Sequence, residues 1–221
     1  MTRTHRTSLP PGLWTGQLQH LIGLSVLLLV TYFAWAGIGQ PQPELFWLAV
    51  ATPVIHQLYV WLAWRLQLRS GVTARVIGFS GYVALFFVLF SARFLTLGLL
   101  AWEDRGSLPV SMVVAGTLSV LCFLPGFYAM YSVKRYFGMR RASGADHFDP
   151  VYRSLPLVRE GIFRYTDNGM YLYAFMLFWG IALSCASSAA LLVAAFSHAY
   201  IWLHFYVTEK PDMDYLYGGE S

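Results

Sequence analysis

The sequence predicts an all-α fold: a polytopic helical membrane protein with about six transmembrane helices, the last two forming a hairpin, and both termini cytoplasmic. Of its 221 residues, 57% are hydrophobic and 12% are charged, and the mean hydropathy is +0.52. A soluble domain of this size would need an implausibly large buried core. Apolar stretches of about 18 residues or more recur along the chain, which is the length that spans a bilayer as a helix.

Residues 1–133 are predicted to form a membrane scaffold of four helices. A polar leader at 1–19 precedes the first span, residues 21–38, which has no charged residue. The motif Ala34-Trp35-Ala36 resembles a signal-peptide cleavage site, but the apolar stretch is longer than the usual signal sequence and favours a span. The other scaffold spans are predicted at residues 45–64, 76–102 and 109–133.

The forty residues at 169–208 contain no formal charge and are predicted to form a helical hairpin. A single helix of this length would extend about 60 Å, roughly twice the hydrocarbon thickness of a bilayer. The small polar motif Ser184-Cys185-Ala186-Ser187-Ser188 lies near the middle and is the predicted turn. The hairpin would bring the polar segments 159–171 and 204–214 together at one membrane face.

The distribution of Lys and Arg predicts the orientation in the membrane. Thirteen of the 15 basic residues fall in the leader, in the loop after the second span, in the loop 134–164 or in the C-terminal tail. We therefore expect these segments, including Arg65 in the loop after the second span, to be cytoplasmic. The net charge of +4 then reflects topology and not a nucleic-acid-binding surface.

Several polar residues are not explained by topology alone. The loop 134–164 is long for a simple connection and contains Gly144-Ala145-Asp146-His147-Phe148. Inside the spans, His56 and Arg93 are costly to place in a bilayer and mark candidate functional positions. Arg93 could bind a lipid phosphate in a groove, or bond to His56 and Tyr59 as a structural clamp, and we favour the clamp.

Three short motifs carry a resemblance to a known family: Tyr136-Phe137-Gly138, Asp167-Asn168-Gly169-Met170-Tyr171 and Glu209-Lys210-Pro211. In this order they resemble the phospholipid (phosphatidylethanolamine) N-methyltransferases, within the isoprenylcysteine carboxyl methyltransferase-like superfamily of integral membrane enzymes. The resemblance implies S-adenosyl-L-methionine as cofactor and a membrane phospholipid as substrate. It also implies that residues 134–221, the loop and the hairpin, form the cofactor site within one structural domain.

The chemistry of this cofactor agrees with the polar segments. S-adenosylmethionine presents an ammonium, a carboxylate, an adenine and a sulfonium, and so requires an acid, polar donors and aromatic faces. We expect Glu209 to bind the ammonium, and Arg164 and Asn168 to bind the carboxylate or ribose. The expected cofactor-binding residues are Glu209, Arg164, Asn168, Tyr165, Tyr171 and His198.

A continuous helix would place His198, Trp202, Phe205 and Glu209 on one face and His204 off that face. His198 is open to a cofactor role or to a structural hydrogen bond across helices.

Methylation of an ethanolamine amine requires a base, because such an amine resembles lysine, with a reference pKa of about 10.4, and must lose a proton before it attacks. His204 or Asp167 is the expected base. No metal site is expected, since Cys122 and Cys185 both lie in or beside apolar stretches.

Other functions remain open at this stage. The acceptor could be a prenylated or small hydrophobic carboxylate, or the chain could be a transporter or an assembly factor. A transporter would be expected to show repeated halves or broken helices at the midplane, whereas the polar groups here gather at one face, which favours an interfacial enzyme. We expect a multi-pass protein of the bacterial inner membrane or the endoplasmic reticulum, with its active site facing the cytoplasm.

Overall fold

The computed structural model describes residues 9–218, and within that range it contains α-helices and single helical turns but no β-strand. The predicted all-α class is therefore confirmed. Arg3 and Arg6, which contributed to the predicted orientation, lie outside the described residues. The α-helices are α1 Gln17–Gly37, α2 Pro43–Ser70, α3 Val72–Glu103, α4 Met112–Ser132, α5 Met139–Ala142, α6 Pro150–Arg153, α7 Met176–Ser184, α8 Ser188–His204 and α9 Lys210–Tyr217.

Five helical stretches between residues 9 and 218 are long and apolar enough to cross a membrane. They are α1, α2, α3, α4 continued to Phe137, and α8 continued to Tyr217. The remaining predicted span is the shorter apolar helix Met170–Ser184, which packs against α8. At 1.5 Å per residue it extends only about 22 Å, less than the hydrocarbon thickness. Helices therefore occur at each of the six predicted spans, and one arm of the hairpin is short.

The end of α2 differs from the prediction and changes the environment of one arginine. We expected the second span to end at Trp64, but α2 continues to Ser70 and ends at Gly71, which adopts a left-handed conformation with φ +65°. Glycine adopts this conformation at little cost, and here it allows α3 to begin at once in the opposite direction. Arg65 is therefore a buried residue inside α2 and not a loop residue.

The predicted hairpin turn is confirmed, because α7 ends at Ser184 and α8 begins at Ser188. The buried carboxylate of Asp104, just after α3, fixes this turn. It accepts hydrogen bonds from the Ser187 hydroxyl at 2.7 Å and from the Ala189 backbone N–H at 2.9 Å. An acid at a helix N-terminus also interacts favourably with the helix dipole. We call the membrane face that carries residues 104–111 and this turn the turn face.

Helix α8 lies at the centre of the bundle and packs against α1, α2, α3 and α7. Four of its nine buried residues, Ala189, Ala190, Ala194 and Ser197, are small and allow neighbouring helices to approach closely. Helix α4 packs on the outer side of α7. The short arm is thus held between α4 and α8.

Three turns of π-helix, Val133–Phe137, Met170–Ala174 and Phe205–Glu209, occur at the membrane face opposite the turn face. We call this the loop face, because residues 138–169 connect its helices. A π turn closes its hydrogen bonds five residues apart and often marks a functional position. All three border the candidate site.

Candidate active-site cavity

A cavity of about 120 Å³ lies inside the helical bundle. Its walls come from α2, α3, the end of α4, the short arm of the hairpin and α8 with its π turn. The lining is mostly apolar. Apart from Trp64, its polar or charged side chains are His56, Gln57, Arg93, Tyr171, His204 and Glu209.

Glu209 and Tyr171 meet in this cavity. The Tyr171 hydroxyl donates a hydrogen bond to Oε2 of Glu209. The Tyr171 ring is itself packed against Trp202 and Phe205, with ring centres 5.8 Å and 5.4 Å apart. The carboxylate is therefore held in place by a tyrosine whose ring has little freedom to move.

The π turn Phe205–Glu209 brings His204 into the same cavity as Glu209. The two residues are five positions apart, which is the spacing of a π-helical hydrogen bond. The α-helical spacing assumed from His198 to Glu209 ends at His204, although Trp202, Phe205 and Glu209 all still contact Tyr171. Pro211 is a sequence signal for this break, because proline lacks the N–H that would continue the α-helical hydrogen bonds.

His204 is 1% exposed, and neither ring nitrogen has a hydrogen-bond partner in the described part of the chain. Its ring centre lies 6.1 Å from that of His20 and 6.2 Å from that of Trp64. A buried polar group without a partner costs roughly 1–3 kcal/mol. Its position on the cavity wall makes His204 a candidate for direct contact with a reactant.

His198 lies outside this lining. Its Nδ1 accepts a hydrogen bond from the Trp179 indole at 3.1 Å, and its ring stacks on Phe175, with centres 5.3 Å apart. These contacts are those of a structural hydrogen bond between the two arms of the hairpin. Phe175 is a cavity residue, so His198 supports the wall from behind.

The other predicted site residues lie at the loop face, away from the cavity lining. Arg164, Tyr165 and Asp167 border a separate surface depression of about 420 Å³, and Tyr165 is 72% exposed. Asn168 is half-buried, and its backbone N–H donates to the Thr166 hydroxyl at 3.2 Å. The structure thus brings together three of the eight predicted residues in the cavity: Tyr171, His204 and Glu209.

A buried charge network beside the cavity was missed by the sequence analysis. Asp212, in α9, is bound by Nε of Arg65 at 3.0 Å and by Nε2 of His147 at 3.4 Å, and all three side chains are fully buried. The other nitrogens of Arg65 donate to the backbone carbonyls of Gly12 and Thr208, at 3.0 Å and 3.3 Å. Arg65 therefore links α2 to the π turn that presents Glu209.

The loop motif at residues 144–148 packs against the wall of the cavity through Trp64. The Trp64 ring stacks on His147 with centres 4.0 Å apart, and its N–H donates to the Tyr82 hydroxyl at 2.7 Å. Gly144 has φ +90°, and a Cβ there would lie 2.6 Å from Nε1 of Trp64. Only glycine fits this position without displacing the indole.

The fold and the cavity define a multi-pass helical membrane protein with a mostly apolar cavity among the helices near its loop face. A family model described as phospholipid methyltransferase matches residues 114–220, as the motif resemblance predicted. The match covers Tyr171, His204 and Glu209. It begins after α1–α3, so His56 and Arg93 lie outside it. No curated protein and no solved structure matches the chain.

Proposed function

We propose that the chain is an integral membrane methyltransferase that uses S-adenosylmethionine to methylate the ethanolamine headgroup of phosphatidylethanolamine or its partly methylated forms. The observation that carries this proposal is the meeting of Glu209, Tyr171 and His204 in one cavity, all three within the segment that matches the phospholipid methyltransferase family model. In this proposal the Glu209 carboxylate binds the ammonium of the cofactor, and His204 accepts the proton of the acceptor amine.

The residues of the cavity fit the cofactor. Glu209 offers a carboxylate for the ammonium, and the Tyr171 ring offers a face for a cation. The methionine and phenylalanine side chains of the lining supply an apolar surface. Arg164, Tyr165 and Asn168 lie outside the cavity lining. They can bind the carboxylate or ribose, as expected, only if the cofactor extends out of the cavity toward the segment just before Tyr171.

When bound, S-adenosylmethionine supplies an electrophilic methyl group on a sulfonium. The protein's own task is to hold the acceptor amine in line with that group and to remove its proton. His204 has two unpartnered nitrogens at the cavity and is the favoured base. Asp167 is exposed at the loop face and would reach the amine only through solvent. The surrounding apolar helices keep bulk water away from the reactants.

The membrane and its orientation also belong to this proposal. The basic loop segments favour a cytoplasmic loop face, in the bacterial inner membrane or the endoplasmic reticulum. A lipid in the cytoplasmic leaflet and a cofactor from the cytoplasm would then meet at the same face.

The test is transfer of labelled methyl groups in lipid nanodiscs that contain phosphatidylethanolamine, followed by mass spectrometry of the lipids. We expect label on the ethanolamine headgroup, lost in Glu209→Gln and retained in Glu103→Gln, which changes an exposed glutamate at the turn-face end of α3. Binding of S-adenosylmethionine without labelled lipid would exclude the proposed acceptor.

The alternative acceptor is a prenylated or small hydrophobic carboxylate, which the apolar lining also suits. A carboxylate is already deprotonated at neutral pH and needs no base. Activity that survives replacement of both His204 and Asp167 would favour this alternative over the amine.

A further inference from the structure

The deep end of the cavity carries a buried positive charge. Arg93 lies in α3, ten residues before its turn-face end, and is 4% exposed. Its Nε has no hydrogen-bond partner, and no salt bridge to Arg93 occurs between residues 9 and 218. The guanidinium carbon lies 5.2 Å and 5.1 Å from the ring centres of Phe175 and Phe178, which hold it by cation–π contact.

His56, on the facing helix α2, is similarly unpartnered. It is 2% exposed, both ring nitrogens lack a hydrogen-bond partner in the described chain, and its ring meets Phe86 edge-on at 4.6 Å. The clamp of Arg93 with His56 and Tyr59 is not formed, because the Tyr59 hydroxyl donates instead to the backbone oxygen of Tyr82 at 3.0 Å. The clamp interpretation is therefore wrong.

A charge buried in this way is costly unless it is paired. Both Arg93 and His56 line the cavity, so a ligand there can provide the missing partner. A guanidinium binds the oxygens of a planar carboxylate or of a tetrahedral phosphate, and it remains charged at physiological pH.

The charges of the cavity also match the reactants. Glu209 is its acidic side chain and Arg93 its guanidinium. Phosphatidylethanolamine and S-adenosylmethionine each combine an ammonium with an oxyanion. A cavity with one charge of each sign is therefore complementary to either zwitterion.

We propose that Arg93 and His56 form an oxyanion-binding subsite at the deep end of the cavity, which takes the phosphodiester of the lipid acceptor or the carboxylate of the cofactor. The inference rests on the proposed function and adds positioning residues to it. These residues come from α2 and α3, outside the segment that matches the family. The first half of the chain thus contributes to ligand recognition.

The test uses the purified full-length protein in a phosphate-free maltoside detergent. The probes are dihexanoyl phosphatidylethanolamine, dihexanoylglycerol, which lacks the phosphate, and S-adenosylhomocysteine, with tryptophan fluorescence as the readout because Trp64 lines the cavity. The variants are Arg93→Gln, Arg93→Lys and His56→Phe. Arg105→Gln is the matched control, since it removes an exposed arginine near the turn face.

We expect Arg93→Gln to weaken binding of one anionic probe by about 10-fold or more, as loss of a charged hydrogen bond predicts. Loss for the phospholipid alone assigns the phosphodiester, and loss for S-adenosylhomocysteine alone assigns the carboxylate. In either case dihexanoylglycerol binding stays unchanged, Arg93→Lys recovers part of the affinity, and Arg105→Gln resembles the wild type. Unchanged affinity of Arg93→Gln for both anionic probes overturns the inference.

Stability and activity separate the remaining outcomes. Removal of an uncompensated buried charge should leave the melting temperature of the ligand-free protein unchanged or higher. A marked decrease in Arg93→Gln would make the arginine structural and overturn the inference. If the wild type transfers methyl groups but Arg93→Gln binds both anionic probes normally, the proposed function is supported and the subsite is refuted. If anion binding depends on Arg93 but the wild type transfers no methyl group, the subsite is supported and the proposed function is refuted.

Discussion

Tyr171 donates a hydrogen bond to Glu209 across 38 positions of sequence, and this bond joins the two polar segments at the ends of the hairpin. The tyrosine belongs to the short arm and the glutamate to the π turn after α8. The bond orients the one carboxylate of the cavity, so the proposed cofactor site depends on the hairpin as a whole.

The first prediction concerns that bond. Tyr171→Phe keeps the ring but removes the hydroxyl, so the Glu209 carboxylate loses a donor and its fixed orientation. We expect affinity for S-adenosylhomocysteine to fall roughly 10-fold, as for loss of a hydrogen bond to a charged group. Isothermal titration measures this change. Tyr173→Phe, which alters a neighbouring tyrosine outside the cavity lining, is the control, and equal affinities for the two variants would contradict the role of Tyr171.

The second prediction separates the two candidate bases. His204→Gln should lower kcat for methyl transfer by about 10²–10⁴, the usual contribution of general-base catalysis, with little change in cofactor affinity. Asp167→Asn should have a small effect, because Asp167 is exposed and outside the cavity. Steady-state kinetics across a pH series measures kcat for each of the two variants. A large loss in Asp167→Asn with normal kcat in His204→Gln would reverse the assignment.

The third prediction concerns the buried network of α9. Asp212→Asn leaves Arg65 buried without its counter-charge, and breaking a buried pair in this way typically costs about 3–5 kcal/mol. Asp214→Asn is the matched control two residues further on, since its ion pair with Lys210 is about 42% exposed and such pairs contribute about 1 kcal/mol or less. Thermal unfolding in detergent should show a large decrease in melting temperature for Asp212→Asn only. Similar melting temperatures would mean that Asp212 does not hold α9.

The fourth prediction concerns the loop that packs on Trp64. Gly144→Ala introduces a Cβ at φ +90° and against the indole, so it should destabilise the protein by about 1–3 kcal/mol. Gly98→Ala, inside α3 with open space around the position, should instead stabilise it by up to about 1 kcal/mol. Melting temperatures of the two variants should therefore move in opposite directions. A shift of the same sign would refute the packing account.

The hairpin could be predicted from the sequence because its signals are local and strong. A charge-free stretch too long for one span, interrupted by small polar residues, gave the turn at Ser184–Ser188 and made neighbours of Tyr171 and Glu209. The short motifs then indicated the family. Bilayer dimensions and residue polarity were sufficient for these conclusions.

The rest of the site depends on contacts that no local pattern encodes. Arg65 and Asp212 are 147 positions apart, and only the folded chain brings them together as a pair. Arg65 looked like a loop residue because it follows an apolar stretch directly. Likewise, the expected helical face assumed α-helical spacing, whereas the π turn rotates Glu209 toward the side of His204.

A structure of the protein with bound S-adenosylhomocysteine tests the central claim most directly. We predict the ligand in the cavity, with its amino group within hydrogen-bond distance of the Glu209 carboxylate and with His204 beside the site of methyl transfer. Binding at the depression near Arg164 alone, or binding in the cavity without contact to Glu209, would contradict the account.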